Sequence, residues 1–366
     1  MKYYIIAGEA SGDLHASNLL KEIRRLDADA VFRGWGGDLM QEQGVTIVKH
    51  YRDLAFMGFV EVLMNLRTIL KNIDIAKADI ATWKPDAVIL VDYPGFNLRI
   101  AEYVKSLGIK VFYYISPQVW AWKESRVHKI KRAVDRMFCI LPFEKDFYAR
   151  HQFDVDYVGH PLLDAIDQFK TGHAVTDDGR KIIALLPGSR RQEIRTMLPV
   201  MMQCASKFPQ YRFIIAGAPS QPESFYKELL GEQKAEIVFG KTYALLSQSH
   251  AALVTSGTAT LETALFNVPE VVCYKGSAIS YAIAKRLVKV KYISLVNLIM
   301  DREVVKELIQ HDMNADTVSL ELSKISEEGS YRSQMIEDYK SLHHLLRKGK
   351  SASLVTAEKM IAYLKK

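Results

Sequence analysis

Residues Val254–Glu262 read V-T-S-G-T-A-T-L-E, and they constrain the fold more than any other stretch of this 366-residue chain. The apolar run Ala251–Val254 has the length of a buried strand, and Ala259, Leu261, Ala264 and Leu265 recur at helical spacing. A tight turn therefore joins the end of a strand to the start of a helix. Buried strands that hand over to helices belong to a parallel sheet covered on both faces. At the turn, Ser256 is a good N-cap, Gly257 lets the backbone approach closely, and Thr258 adds an amide and a hydroxyl at the positive end of the helix dipole. That is an anion site, and diphosphate is its usual occupant. Glu262, about one turn further on, comes within reach of vicinal hydroxyls such as those of a ribose. The alternative is an ordinary strand-to-helix turn with Glu262 facing water.

The same handover recurs upstream. Lys181–Leu186 is a short apolar strand that runs into P-G-S-R-R-Q-E at Pro187–Glu193. Gly188 and Ser189 can present amides, and Arg190 offers a planar fork of donors matched to phosphate oxygens. Arg190 and Arg191 could be a solvated helix start, but adjacent arginines there oppose the dipole, which an anionic ligand would relieve. Both loops can face the carboxyl ends of one parallel sheet, where ligands bind.

The first half repeats the unit. Tyr3–Ala7 reads as a strand, Gly8–Gly12 as a glycine-containing loop, and Asp13–Leu26 as an amphipathic helix, with Ser11 and Gly12 at its start and His15 in its first turn. His15 is either a structural residue or part of a site. Phe32–Gly37, F-R-G-W-G-G, reads as glycine-rich turns near the same sheet edge. Ala87–Val91 is a further strand, followed by Asp92-Tyr93-Pro94-Gly95-Phe96-Asn97 and a helix to Leu107. A carboxylate at the end of a parallel strand lies where ligands bind, so Asp92 can serve as a general base or can simply cap the turn. Lys110–Ile115 is the next strand, and its exit S-P-Q-V-W-A-W places Gln118 beside two tryptophans that can line a sugar or acyl site or plug the core.

A composition of 49% hydrophobic and 25% charged residues is that of a globular protein, and the length suits two domains. Cys139, Cys204 and Cys273 are scattered without metal-ligand spacing and read as buried thiols in a reducing compartment. Glu9 and Asp13 come too early for a signal peptide, and no apolar stretch reaches the ~20 residues of a spanning helix. The expected location is cytoplasmic. A net charge of +7 favours anionic partners. Nucleic acid is the weakest of these, because zinc-finger spacing, an RNA-recognition signature and a long basic arm are all missing. The densest basic run, Lys123–Arg136, is a solvated face, or a surface for anionic lipid or an acceptor phosphate. Phe56–Leu70 carries only Glu61 and Arg67 as charges; it is a helix buried between layers, or a greasy patch in which Phe56, Met57 and Phe59 meet acyl chains or a membrane. No metal is expected. Two D-x-D triplets, Asp27-Ala28-Asp29 and Asp154-Val155-Asp156, stand away from the nucleotide loops, and the ten histidines form no H-E-x-x-H pattern.

The polar, aperiodic stretch 167–179 reads as a linker. It separates residues 1–166, a Rossmann-like domain, from residues 180–345, a second one, and the terminal helix 346–366 can return to the first.

Taken in order, G-E-A-S-G-D-L-H-A from Gly8, G-W-G-G near Gly34, D-Y-P-G-F-N from Asp92, S-P-Q-V-W-A-W from Ser116, V-G-H-P-L from Val158, L-P-G-S-R from Leu186, S-G-T-A-T-L-E from Ser256 and N-L-I-M-D-R-E-V-V-K-E-L-I-Q from Asn297 closely resemble the lipid-A-disaccharide synthases. The resemblance implies a GT-B fold, two Rossmann-like parallel-sheet domains facing across a cleft with C-terminal helices. It implies an inverting, metal-independent transfer without a cofactor: UDP-2,3-diacylglucosamine as donor, 2,3-diacylglucosamine 1-phosphate as acceptor, a β(1→6) bond, and release of UDP. It assigns Ser256, Gly257 and Thr258 to the diphosphate, with Gly188, Ser189 and Arg190 on the phosphates, Glu262 on the ribose, and Asn297 in a nucleotide-site motif in which Val296 replaces the usual proline. Asp92 is the base on the acceptor 6-hydroxyl with His15 as rival or helper, and Ser11, Gly12 and Gln118 complete the acceptor side. It tilts Phe56, Met57 and Phe59 toward acyl chains or the inner face of the inner membrane, and a homodimer is consistent with it. Three rivals remain: a lipid-linked N-acetylglucosaminyltransferase, a UDP-sugar 2-epimerase, and a non-catalytic nucleotide-sugar binder.

Overall fold

The computed structural model describes residues 1–54, 66–169, 179–233, 235–277, 281 and 290–365. The chain divides into two compact units, Met1–Asp164 with Leu346–Lys366, and Ala165–Leu345. Each is built on one parallel sheet.

In the first unit the strands are β1 (Lys2–Ala7), β2 (Val31–Gly36), β3 (Thr46–His50), β4 (Ala87–Val91), β5 (Lys110–Tyr114), β6 (Arg136–Cys139) and β7 (Asp156–Tyr157), in the order β3-β2-β1-β4-β5-β6-β7. Side chains alternate between faces, as a strand's period of two requires. Tyr4, Ile6, Val88, Leu90, Val111 and Tyr113 pack under the helices Leu66–Trp83, Pro94–Ser106 and Arg126–Ala133. Tyr3, Ile5, Ile89, Val91, Phe112 and Tyr114 pack on the other face against Ala10–Leu26 and the terminal helix Ala352–Leu364. That last helix is held by more than apolar contact. Both oxygens of the buried Asp164 carboxylate accept from its first amides, Ala352 N at 3.1 Å and Ser353 N at 2.9 Å, supplying the acceptors a helix start lacks.

The second unit orders its strands β10-β9-β8-β11-β12-β13, with β8 (Ile182–Leu186), β9 (Arg212–Gly217), β10 (Glu236–Phe239), β11 (Ser249–Thr255), β12 (Glu270–Tyr274) and β13 (Lys306–Ile309). Its apolar runs are buried on both faces, as parallel strands require.

Two local expectations change. Phe32–Gly37 is not a set of turns: Val31–Gly36 is a strand, and Gly34 is there because a β-carbon would fall 1.9 Å from the Ile5 carbonyl oxygen of the neighbouring strand. The first helix begins at Ala10, ahead of the expected Asp13, so Ser11 and Gly12 lie in its first turn. Gly12 presses on β1, where a β-carbon would stand 3.3 Å from that of Ala7. Phe56, Met57 and Phe59 lie outside the described residues, as does most of the expected linker. Among the described residues, no helix is long and apolar enough to cross a membrane.

Candidate active site

In each sheet the strand order reverses once, between β1 and β4 in the first unit and between β8 and β11 in the second. Ligands of open α/β sheets bind at the carboxyl ends of the strands flanking such a reversal. The four loops leaving these strands are Gly8–Glu9, Asp92–Tyr93, Pro187–Arg190 and Ser256–Gly257, the ones singled out from sequence.

Asp92 is fixed through its backbone. Its amide donates to Tyr114 O at 3.1 Å, and its carbonyl accepts from the Tyr113 hydroxyl at 2.6 Å and Asn97 Nδ2 at 2.8 Å. Asp92 and Tyr93 are both left-handed, with φ of 44° and 48°. For a bulky residue such as Tyr93 that conformation is strained and needs surrounding structure to hold it. Burial, reinforced by the nearby Glu9 carboxylate and opposed by the Tyr93 amide, pushes the Asp92 carboxyl up to about 7. A base with that value is half ionised near neutrality, the range in which general-base catalysis is most effective.

His15 is buried and, among the described residues, its Nδ1 has no partner. Burial pushes it down to about 4. His160, of the V-G-H-P-L motif, lies close enough for His15 to lower it further, to about 3, with burial the larger cause. Both imidazoles are therefore neutral at pH 7. Asp13 is buried and receives the amides of Gly37, Leu39 and Met40 at 2.7, 3.1 and 3.2 Å, clamping the loop after β2 to the first helix. Ser11 is exposed. Gln118 is also exposed, at the head of the short helix Val119–Trp122. That helix is anchored by Glu144, whose buried carboxyl accepts from Trp120 Nε1 at 3.2 Å and from the Ile140 and Leu141 amides at 3.2 and 3.0 Å.

In the second unit, Gly188 at φ 112° leads to Ser189 and Arg190, and Glu193 folds back on both. Its carboxylate accepts from the Ser189 and Arg190 amides, each at 3.3 Å, and from the Arg190 guanidinium at 3.1 Å. The chain thus supplies its own anion at a turn whose residues also suit a phosphate. The signal was present, since a glutamate three residues after the N-cap is the capping-box spacing. Gly257 adopts φ 156°, ψ −163°, a conformation open to glycine and strained for other residues. The helix Thr258–Leu265 follows, so Thr258 and Ala259 present first-turn amides. Glu262 has one oxygen engaged, accepting from the Tyr243 hydroxyl at 2.9 Å, and burial raises its pKa.

Asn297 stands apart from the other nucleotide-side residues because its amide is fully used. Nδ2 donates to Val305 O and Glu307 Oε1, both at 2.9 Å, and Oδ1 accepts the Val304 and Val305 amides at 2.7 and 3.0 Å. An amide offers two donors and two acceptor lone pairs, so nothing is left for a ligand. Its link to the diphosphate loop is indirect. Glu307 also accepts the Ile293 and Ser294 amides, and Ile293 O accepts the Ser256 hydroxyl at 2.9 Å. Asn297 therefore braces the segment on which Ser256 rests.

Both D-x-D triplets have structural partners: Asp27 accepts from the terminal amine and the Tyr3 hydroxyl, and Asp156 pairs with Arg136 and Lys359. Among the described residues, no group of three His, Cys, Asp or Glu side chains is arranged to hold a metal ion.

The profile of the family described as lipid-A-disaccharide synthetase matches residues 3–360. The lipid-A-disaccharide synthase of Geobacter metallireducens is 41% identical over 331 residues, covering 87% of this chain and 86% of its own. That of Nitrosococcus oceani is 38% identical, covering 98% and 95%. Among solved structures, a UDP-GlcNAc 2-epimerase from Neisseria meningitidis, bound to UDP-GlcNAc, superposes with a TM-score of 0.66 at 14% identity, covering 99% of this chain and 100% of its own. The glycosyltransferase of kitacinnamycin superposes with a TM-score of 0.67 at 11% identity, covering 99% of each chain. At such identities these two likenesses concern the fold, which is GT-B.

Proposed function

The chain belongs to the lipid-A-disaccharide synthase family, and on that footing we propose a mechanism in which Asp92 is the general base of the transfer that gives the family its name. The acceptor is a 2,3-diacylglucosamine 1-phosphate and the donor its UDP-activated counterpart. Asp92 takes the proton of the acceptor 6-hydroxyl as that oxygen bonds to the donor's anomeric carbon. The bond from that carbon to the diphosphate oxygen breaks, its electron pair leaves with UDP, and the configuration inverts to β.

The observation that carries this reading is the Asp92 carboxyl itself: it sits at the exit of β4, its backbone is pinned by Tyr113, Tyr114 and Asn97, and its pKa is raised to about 7. The leaving diphosphate is taken by the amides after Gly257 and by Ser189 and Arg190, for which it competes with Glu193. Glu262, with one oxygen on Tyr243, turns the other to the ribose. Asn297 acts as a positioning residue behind Ser256. Ser11, Gly12 and Gln118 belong to the acceptor side, with Gly12 acting through close packing. His15, neutral and with Nδ1 unpartnered among the described residues, orients acceptor hydroxyls and is not the base. Because both substrates carry acyl chains, the enzyme works peripherally at the anionic cytoplasmic face of the inner membrane, and Phe56, Met57 and Phe59 are assigned to acyl or membrane binding by their apolar sequence alone; a homodimer is part of the same reading.

The test is turnover with both acylated substrates in detergent, in the presence of chelator. A β-linked disaccharide and free UDP from the native protein, lost in an Asp92→Asn variant that still binds UDP, are the expected results. UDP binding without disaccharide at any acyl length refutes the transfer. Near-normal turnover of Asp92→Asn removes Asp92 from the role of base.

A further inference from the structure

The helix Arg126–Ala133 packs beside Pro94–Ser106, and both carry cations. Most have partners: Glu102 pairs with Lys129 at 2.8 Å and, more loosely, with Arg132 at 4.0 Å, and Lys105 pairs with Asp135 at 2.6 Å. Arg126 and Arg99 differ. Among the described residues neither meets a carboxylate; Arg99 donates to Gly95 O at 3.1 Å, and Arg126 stacks 5.2 Å from the Trp122 ring. Burial lowers Arg126 from its ordinary value, the Tyr113 hydroxyl opposes this, and Arg99, near enough to repel it, adds to the lowering. Arg126 is also the first residue of its helix, where a cation opposes the dipole. A partly buried Arg126 at the positive end of its helix, facing the exposed guanidinium of Arg99 and meeting no carboxylate among the described residues, is eased when an anion joins it.

Its place indicates which anion. The buried Tyr113 phenol lies within electrostatic reach of both Arg126 and Asp92 and donates its hydrogen to the Asp92 carbonyl at 2.6 Å. Arg126 is thus one phenol away from the residue assigned as base. In a glucosamine 1-phosphate, C1 with its phosphate and C5 with its 6-hydroxymethyl flank the ring oxygen, so the phosphate and the 6-hydroxyl share one edge of the pyranose, within a ring's width of each other. An acceptor that offers its 6-hydroxyl to Asp92 therefore needs a cationic site about a ring's width away.

We propose that Arg126, with Arg99 beside it, binds the phosphomonoester of the acceptor and so selects a phosphorylated sugar. This rests on the reading of Asp92 as base. A planar guanidinium suits two oxygens of a phosphate dianion. The exposed Trp122 holds Arg126 from one side, and Lys123 stacks on the same ring at 5.4 Å. A bilayer phosphate would present the same chemistry, so the test separates the two sources.

Disaccharide formation is measured with 2,3-diacylglucosamine 1-phosphate and with its dephosphorylated form, at saturating donor, for the native protein, Arg126→Gln, Arg126→Lys and Arg99→Gln. The native enzyme is expected to prefer the phosphorylated acceptor. Arg126→Gln should raise that acceptor's KM roughly ten- to a hundredfold, leave the donor KM unchanged and abolish the preference. Arg126→Lys should recover part of it. Arg99 is exposed, so its variant tests the pair even if Arg126→Gln folds poorly, and a smaller loss of the same kind is expected. Unchanged preference in Arg126→Gln and Arg99→Gln overturns the proposal. So does loss of binding to phosphatidylglycerol vesicles with the acceptor preference intact, which would assign the pair to the bilayer. If the native protein makes no disaccharide, the transfer reading falls separately, and the site is read from calorimetry with glucosamine 1-phosphate. Binding lost in Arg126→Gln then upholds it, and equal binding by both proteins overturns it.

Discussion

The ring of Tyr93 lies directly on Gly8: a β-carbon there would come 2.5 Å from Cγ and Cδ1 of that ring. The contact ties the loop after β1 to the loop after β4 and holds Tyr93 in its left-handed conformation, with Phe96 stacked on the ring at 5.5 Å. Glu9 follows Gly8, and its charge helps raise Asp92, so the placement of the ring and the proton affinity of the base belong to one arrangement.

Gly8→Ala should therefore displace Tyr93 and with it Asp92. We expect a loss of about 1–3 kcal/mol in a urea titration and a fall in kcat larger than any change in donor KM. Wild-type turnover in a stably folded Gly8→Ala protein would show that the contact does not position the base.

Asp92, at about 7, makes a prediction about pH. A base must be ionised, so kcat should rise with pH through about 7 and then level off. Stability should run the other way. The folded pKa lies above the unfolded one, so the folded state holds the proton more tightly, and stability present below about pH 4 is lost as pH rises through 7. Asp92→Asn has no such titration and should be more stable than the native protein at pH 8, by about 1–3 kcal/mol. Equal melting curves at pH 8 would contradict the raised value.

His15 and His160 titrate in the opposite sense. Their folded pKa values, about 4 and about 3, lie below that of an unfolded histidine. Stability is then full above about pH 6.5 and falls as the unfolded chain takes up protons below it. Acid unfolding should begin near pH 6, and His15→Gln should flatten that limb. The rise in kcat near pH 7 should survive in His15→Gln; its disappearance would return His15 to the role of base.

Asn297→Ala leaves the buried Val304 and Val305 amides without their acceptor. A loss of about 2–4 kcal/mol is expected, with weaker UDP binding only through the segment that carries Ser256. If the urea midpoint is unchanged while UDP affinity collapses, Asn297 contacts the nucleotide directly.

Gly257→Ala places a side chain where no described residue crowds it, on a backbone that resists it. A cost of about 1–3 kcal/mol is expected, and calorimetry should show weaker UDP binding, since the amides after Gly257 would turn. Undiminished UDP affinity would take this turn out of the diphosphate site.

What could be read from sequence was local. The strand Ala87–Val91 and the loops at Gly8, Asp92, Gly188 and Gly257 are written in runs of a few residues, because apolar periodicity and turn chemistry depend on near neighbours. Glycine misled where its reason was distant, since Gly34 answers to a carbonyl on another strand. Tertiary structure decided which polar groups remain available. Asp13 is consumed by amides 24 to 27 residues away, Asn297 by Val304, Val305 and Glu307, and part of Arg190 by Glu193. It also decided which carboxyl is poised to act, because desolvation and distant charges set a pKa and neither is encoded beside the residue. Residue order determined the two parallel-sheet units and the positions of their loops. Only packing could separate the groups that brace the site from those left to do its chemistry, because a hydrogen bond once satisfied inside the protein cannot also be made to a ligand.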